Sequence, residues 1–386
     1  MHQYTYLFWL VGLSLISCGS PAPTEEKVST NPPSFIEQLI EKNAQELIQK
    51  PLINSTSIGL YYKGEQFIQH HGELEKGKAN PPSDQTIYEI GSLSKVITGT
   101  LVAKAVLENK LQVEEAVNAY LPTPYPNLAY QDQPILIKHL LTHSSGLPNI
   151  LPLELVPLLT SKFPEPTTPE NINNILQNYS QELFLEDLQK VEVTKPLGED
   201  YSYSSTAVEL IAYVLEQVYA QDYEQLLTDF VAQEIGMTHT KIRLDEKEAQ
   251  QLAVGYHMDH PNITTAMETL PWGAGGTIKS TVPDMVQFIE YHLGDNPIAK
   301  TSHEVLVPYS EAIGLAYFWE VQSTDNNWGT FYSHHGGVPR SQCYIFILPQ
   351  YQLGAFIITN QSGVDTAKKL EATINSIFEG IIAKHQ

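Results

Sequence analysis

Apolar residues recur along this chain with two different periods. Between Ser34 and Gln49, Phe35, Leu39, Ile40 and Leu47 fall on one side of a 3.6-residue turn, which predicts an amphipathic helix. The pattern then becomes strand-like over Ser57 to Tyr62 and Gln66 to His71, two segments joined around Lys63-Gly64-Glu65 as a hairpin. Helical spacing returns with Leu93, Val96, Ile97, Leu101 and Ala105, which puts one stripe of that segment against a core. It dominates from about Leu101 to Tyr291, broken by Pro-rich stretches at 122–126 and 164–169. Val208, Ile211, Leu215 and Val218 mark one helix there, and Leu226, Leu227, Phe230 and Val231 another. Thr281-Val-Pro-Asp284 starts a third, which Gly294 ends. Strand patterns resume at 313–321, 330–334, 343–348 and 353–359, and a last helix covers roughly Asp365 to Ile382.

This order predicts an α+β fold. Antiparallel strands from both ends of the chain join in one sheet flanked by helices, and the helical block is inserted as a second lobe. The α/β lobe takes about 34–100 and 295–386, the helical lobe about 101–294, and a cleft between them is the expected ligand site.

At 386 residues and 42% hydrophobic composition the chain can bury a substantial core. Its 44 acidic against 22 basic residues, a formal charge of −22, argue against nucleic acid and anionic lipid surfaces as partners. Leu7 to Ile16 is too short to span a bilayer but suits the apolar part of a signal peptide. It runs into Leu15-Ile16-Ser17-Cys18-Gly19-Ser20, which resembles the lipobox of bacterial lipoproteins, although Met1 to Tyr6 has no Lys or Arg. The resemblance implies a signal peptide over 1–18, lipid on Cys18, a Pro-rich tether over 19–33, and an exported protein anchored to the cell envelope by lipid alone. Cys343 is then left without a disulfide partner.

Candidate chemistry centres on Ser92-Leu-Ser-Lys95, at the first turn of a predicted helix. Residues i and i+3 share a helix face, so the Ser92 hydroxyl lies beside the Lys95 amine. A serine needs an adjacent base to act as a nucleophile, and a partly buried lysine of lowered pKa can serve. A helix start also offers backbone N–H groups to a developing oxyanion. Histidines at His257/His260, His70/His71 and His334/His335 lack the spacing of a metal site, and no phosphate-binding glycine loop is present, so neither metal nor cofactor is expected.

Four further stretches, in order, accompany the tetrad. Leu140-Leu-Thr-His-Ser-Ser-Gly-Leu-Pro148, Ile235-Gly-Met-Thr-His-Thr240, Trp272-Gly-Ala-Gly-Gly-Thr-Ile-Lys-Ser280 with Asp284, and Ser333-His-His-Gly-Gly-Val-Pro339 resemble the LLTHTSGLP, LGMxxT, AGGxxST…D and GHxGGxPG segments of the serine β-lactamase and penicillin-binding-protein-like family. The likeness is to the branch holding class C β-lactamases, D,D-peptidases and esterases, and it spans nearly the whole chain from Phe35. It implies Ser92 as the acylated nucleophile and Lys95 as its proton acceptor or electrostatic partner. Tyr203, five residues after Gly198, fits the tyrosine of a Tyr-x-Asn motif, its phenol lowered toward a useful pKa by the lysine. The N–H groups of Ser92 and Gly337 are the expected oxyanion hole, and His334 a hydrogen-bond donor or part-time charge beside the substrate. His335 and Gly336 complete the strand motif on the substrate side. His143 is expected to tie down its own loop.

Two departures bear on the substrate. Ser205 stands where the family has Asn, and Arg340 where it has Gly. Arg340 could reach into the cleft and grip a substrate carboxylate. The expected activity is hydrolysis of esters or D-amino-acid peptides, including peptidoglycan stem peptides, through an acyl-enzyme. A slowly deacylating penicillin-binding-like receptor and a class C-like β-lactamase are the alternatives.

Overall fold

Ser34 opens the first helix, α1 (Phe35–Ile48). Its hydroxyl accepts the Glu37 N–H at 3.2 Å while the Glu37 carboxylate accepts the Ser34 N–H, so two orphan donors are satisfied reciprocally. The computed structural model describes residues 33–323 and 328–385, so Cys18 and nearly all of the expected tether lie outside the described residues. The hairpin follows as β1 (Ser55–Tyr62) and β2 (Glu65–Gly72). The helical part carries α2 (Leu93–Leu107), α3 (Ser205–Tyr219) and α4 (Val282–Leu293), with several shorter helices between them. The chain then returns to strands: β3 (Val307–Pro308), β4 (Ile313–Leu315), β5 (Glu320–Ser323), β6 (Thr330–Val338), β7 (Ser341–Leu348) and β8 (Leu353–Thr359), before α5 (Thr366–His385).

The eight strands form one antiparallel sheet in the order β2-β1-β8-β7-β6-β5-β4-β3. The two ends of the chain meet where β1 pairs with β8, Ser57 opposite Ile358. On one face Ile58, Leu60, Ala355 and Ile357 pack against Ile40, Leu47, Ile374 and Phe378 of α1 and α5. On the other, Phe356 and Ile358 join α2, α3 and α4 in the larger core. Glycine sets the spacing there: a Cβ on Gly59 would lie 2.4 Å from Val286, and one on Gly354 2.3 Å from Ile289. Only hydrogen side chains let α4 lie that close to the sheet.

Two expectations are corrected. The single strand expected over 313–321 is a hairpin, because Ala316 to Trp319 leave the sheet and turn back, with Phe318 at φ +65. Burial explains the turn: Trp319 stacks on Phe288 of α4, and the Tyr317 carbonyl sits so close to α2 that a Cβ on Gly99 would be 2.2 Å from it. The strand expected to stop at His334 runs on to Val338, where Pro339-Arg340 makes a two-residue turn into β7. From His334 onward the β5-side edge of β6 has no partner strand among the described residues, since β5 pairs only with Thr330 to Ser333.

Behind α2, His292 Nδ1 lies 3.0 Å from His303 Nε2 and its Nε2 3.2 Å from Thr100 Oγ1, and His303 stacks on Tyr332 at 3.7 Å. Burial holds His303 down to about 3 and His292 well below its ordinary value. Unfolded, both protonate near 6.5, so below that pH the unfolded chain binds more protons than the native one. Stability is therefore present above about pH 6.5 and is lost as pH falls, by up to about 1.4 kcal/mol per unit and per ring. Urea midpoints should drop between pH 7 and 4, and His292→Phe with His303→Leu should flatten the drop. An unchanged slope in the double variant would contradict this assignment.

Candidate active site

Burial of α2 exceeds what a single apolar stripe requires: every residue from Leu93 to Ala103 is buried, polar ones included. Ser92 stands at its N-terminus with helical backbone angles, and its hydroxyl caps nothing. The N–H groups of Leu93, Ser94 and Lys95 are taken by the carbonyls of Ile90, Gly91 and Ser92. Among the described residues no backbone hydrogen bond claims the N–H of Ser92. Strand β6 lies directly against this turn. A Cβ on Gly336 would be 2.2 Å from the Ile90 carbonyl, and one on Gly91, which has φ +54, 2.5 Å from the Gly337 nitrogen. Gly337 pairs with Gln342 between the hairpin positions Val338 and Gly336. The alternation of an antiparallel ladder turns its N–H away from β7, toward the free edge and Ser92. Both expected oxyanion donors thus sit beside the hydroxyl.

Lys95 has no solvent exposure. Its Nζ is 3.2 Å from Ser92 Oγ, donates to the Gly275 carbonyl, and lies 4.8 Å from the centre of the Tyr203 ring. Burial lowers it to about 7, against the opposing pull of Glu209. An amine at that value is half neutral at neutral pH and can accept a proton.

Glu209 was not singled out from the sequence, where it reads as a polar break in the apolar face of α3. It is buried, and its carboxylate accepts three backbone N–H groups, from Trp272 at 2.7 Å, Gly273 at 3.2 Å and Gly275 at 2.5 Å. Burial pushes it up to about 7 in spite of these bonds. The side chain fixes the loop whose carbonyl holds Lys95. A carboxylate inside the apolar run Ala207 to Leu215, six residues after Tyr203, was the available signal.

Tyr203 donates its hydroxyl to Ser92 Oγ at 2.6 Å. The expectation of a lowered phenol is corrected: burial raises it, and the hydrogen bond to Ser92 offsets this only in part. Tyr203 is a proton donor here, and Lys95, like Glu209, is placed near neutrality. Tyr201 sits farther out, against Tyr309.

The strand motif is only partly as expected. His334 is buried near Lys95, but its Nδ1 is spent on the His335 carbonyl at 2.7 Å, and burial with the nearby Lys95 lowers it to about 3. It is neutral, and neither the donor nor the part-time charge expected. His335 points to the opposite face of the sheet, its ring 4.8 Å from Tyr344, its cross-strand neighbour. It does not face the substrate, because alternate strand residues face opposite sides. Arg340 also turns away. Its side chain is 7% exposed, its Nε lies 3.1 Å from Glu89 Oε2, and it donates to the Ala253 carbonyl. Glu89 in turn accepts the Met267 N–H at 2.8 Å. The guanidinium is therefore a buried strut behind the cleft wall.

Beside Ser92 a cleft of about 260 Å³ is lined by Tyr203, Ser205, Asn149, Gly337 and Val338, and walled by Ile150, Leu159, Phe163, Ile172, Leu176 and Leu270. Ser205 is placed there by a 2.6 Å bond from its N–H to the Asn149 carbonyl. Glu268 is the one charged residue of the lining. Among the described residues no cluster of metal-ligating side chains occurs. His257 and His260 face the carbonyls of Phe163 and Pro164 instead.

Residues 40–376 match the family model described as Beta-lactamase. Among curated relatives, a β-lactamase from Providencia stuartii is 27% identical over 273 residues, 71% of this chain and 64% of that protein. Protein flp from Staphylococcus aureus (strain N315) is 24% identical over 349 residues, 87% of this chain and 65% of its own. The chain thus spans just under two thirds of the length of these relatives. Among solved structures, a β-lactamase/D-alanine carboxypeptidase from Yersinia pestis complexed with citrate superimposes with a TM-score of 0.77 at 18% identity, covering 90% of this chain and 98% of that one. A class C β-lactamase from Rhodobacter sphaeroides gives 0.74 at 17%, covering 89% and 99%.

Removing either buried acid partner has a distinct outcome. Arg340→Ala leaves the Glu89 carboxylate uncompensated and should lower stability by about 3–5 kcal/mol in urea unfolding. Unaltered stability with a raised KM for carboxylated substrates would restore Arg340 to the cleft. Glu209→Gln removes the charge that raises Lys95, so the acid limb of the kcat/KM profile should move to lower pH. A shift toward higher pH would contradict that coupling.

Proposed function

The chain belongs to the β-lactamase family of serine hydrolases, and we propose that within it this protein is an esterase acting on neutral esters with an apolar acyl group. One observation carries this reading: the cleft beside Ser92 is walled mainly by apolar side chains, and among the described residues no cation lines it. Penicillins and peptides ending in D-alanine both carry a carboxylate, which needs a partner when it leaves water. Arg340 is committed to Glu89, His334 is neutral, and Glu268 repels an anion.

Lys95, in its neutral form, takes the Ser92 proton as Oγ bonds to the ester carbon. The N–H groups of Ser92 and Gly337 hold the oxyanion. On collapse the C–O bond to the alcohol breaks and Tyr203 gives that oxygen a proton, which the Lys95 ammonium restores. Water then gives a proton to Lys95 as its oxygen bonds to the acyl carbon. The bond from that carbon to Ser92 Oγ breaks, and the Lys95 ammonium returns the proton to Oγ, so the acid leaves and Ser92 is regenerated.

Steady-state rates on p-nitrophenyl butyrate and hexanoate, on an anionic hemisuccinate ester, on a chromogenic cephalosporin and on a D-Ala-D-Ala peptide test the reading. The neutral esters should turn over continuously, the hemisuccinate at least about tenfold more slowly in kcat/KM, a 1–2 kcal/mol penalty for an unpaired charge. Ser92→Ala should lower kcat by roughly 10³-fold or more. A preference for either carboxylated substrate would overturn the assignment, and a single stoichiometric burst would favour a slowly deacylating receptor.

A further inference from the structure

We propose that His143 is the positioning residue that holds Tyr203 on Ser92. This rests on the reading of Tyr203 as the proton donor to the leaving group. His143 brackets the tyrosine along the chain: its carbonyl accepts the N–H of Ser202 at 2.7 Å, and its Nδ1 accepts the N–H of Ser204 at 3.2 Å. The residues immediately before and after Tyr203 are thus both bound to one side chain and its own backbone. Its ring also packs on the phenol, centroids 4.5 Å apart and planes at 40°.

Two features show that the residue is held there at some expense to the fold. His143 has φ +54, the left-handed region that non-glycine residues adopt uncommonly, although His does so more often than most. Its Nε2 is buried and has no hydrogen-bond partner among the described residues, in a residue only 3% exposed. A buried unpaired polar atom is destabilising, and in native folds such an atom calls for a reason. The loop around His143 makes the same kind of grip nearby, where the Ser144 carbonyl accepts Gly198 N–H and the Asn149 carbonyl accepts Ser205 N–H. Those contacts fix the two segments in register, whereas among the described residues only His143 hydrogen-bonds the backbone on both sides of Tyr203 and packs on its ring.

The tautomer follows from geometry. With Nδ1 accepting a backbone N–H, the neutral ring carries its proton on Nε2. Protonation of Nδ1 would place two donors face to face. Burial, with Lys95 and His334 nearby, holds the imidazole well below its ordinary value and so protects the acceptor.

Kinetics on a neutral ester, with rates normalised to Ser92 titrated by a fluorophosphonate, test the proposal on His143→Gly, His143→Asn and Tyr203→Phe. Glycine fits the positive φ but removes the ring and the acceptor. It should lower kcat about 10²-fold, the loss expected when a reacting group is misplaced by an ångström, with KM changed less than about twofold. Asparagine keeps an acceptor and tolerates the backbone angle, so it should recover to within about tenfold of the parent, and added imidazole should partly restore the glycine variant. His143→Leu fills the ring's volume without an acceptor and gives the same reading should the glycine variant collapse. If Tyr203→Phe loses activity while His143→Gly and His143→Leu stay within about threefold of the parent, the positioning role is wrong. If Tyr203→Phe itself keeps full activity, the proton-donor reading fails and the proposal with it.

Discussion

The site depends on taking one ammonium out of water. Lys95 lies in a helix buried on all sides, and an isolated charge there is strongly disfavoured. The fold answers with the Gly275 carbonyl and with a carboxylate, Glu209, whose charge pulls on the lysine and whose hydrogen bonds hold the Gly275 loop. This compensation is incomplete, so Lys95 sits where its proton can leave near neutral pH. Full compensation would keep the amine charged and useless as a base. A drier site would keep it neutral but without the ammonium needed to return the proton.

Close backbone approach is the second requirement, and glycine supplies it at the points where three segments meet. Gly91 and Gly336 let β6 lie against the Ser92 turn, and Gly275 lets its loop reach the Glu209 carboxylate, 3.0 Å from where a Cβ would stand. Placement of the two N–H groups beside Ser92 follows from these contacts. The apolar walls of the cleft then decide which acyl groups can enter, and the absence of a cation among its lining residues decides which cannot.

Much of this was legible in the sequence because its signals are local. Helix and strand periods gave the order of elements, the i, i+3 spacing put Lys95 beside Ser92, and the family resemblance added Tyr203 and His334. What the sequence hid depends on three-dimensional burial. The sign of the Tyr203 shift needed its desolvation to be weighed against a lysine that burial has itself lowered to about 7. The fate of Arg340 needed Glu89, 251 positions earlier, to be known as its neighbour. His335 is a different case, since strand alternation already placed it opposite His334 and Gly336. The turn at Ala316 to Trp319 carries no Gly or Pro, and only the burial of Tyr317 and Trp319 explains it.

The central claim is that Lys95 gives up its proton near pH 7, and it can be measured without any substrate. Protein carrying lysine labelled with ¹³C at Cε, compared with Lys95→Arg to assign the one resonance, reports the titration of that amine by NMR. The account predicts a midpoint near 7, as burial outweighs the pull of Glu209. A midpoint at or above the ordinary lysine value of about 10.4 would contradict it. Lys95 would then be a fixed charge, and the base that activates Ser92 would have to be sought elsewhere.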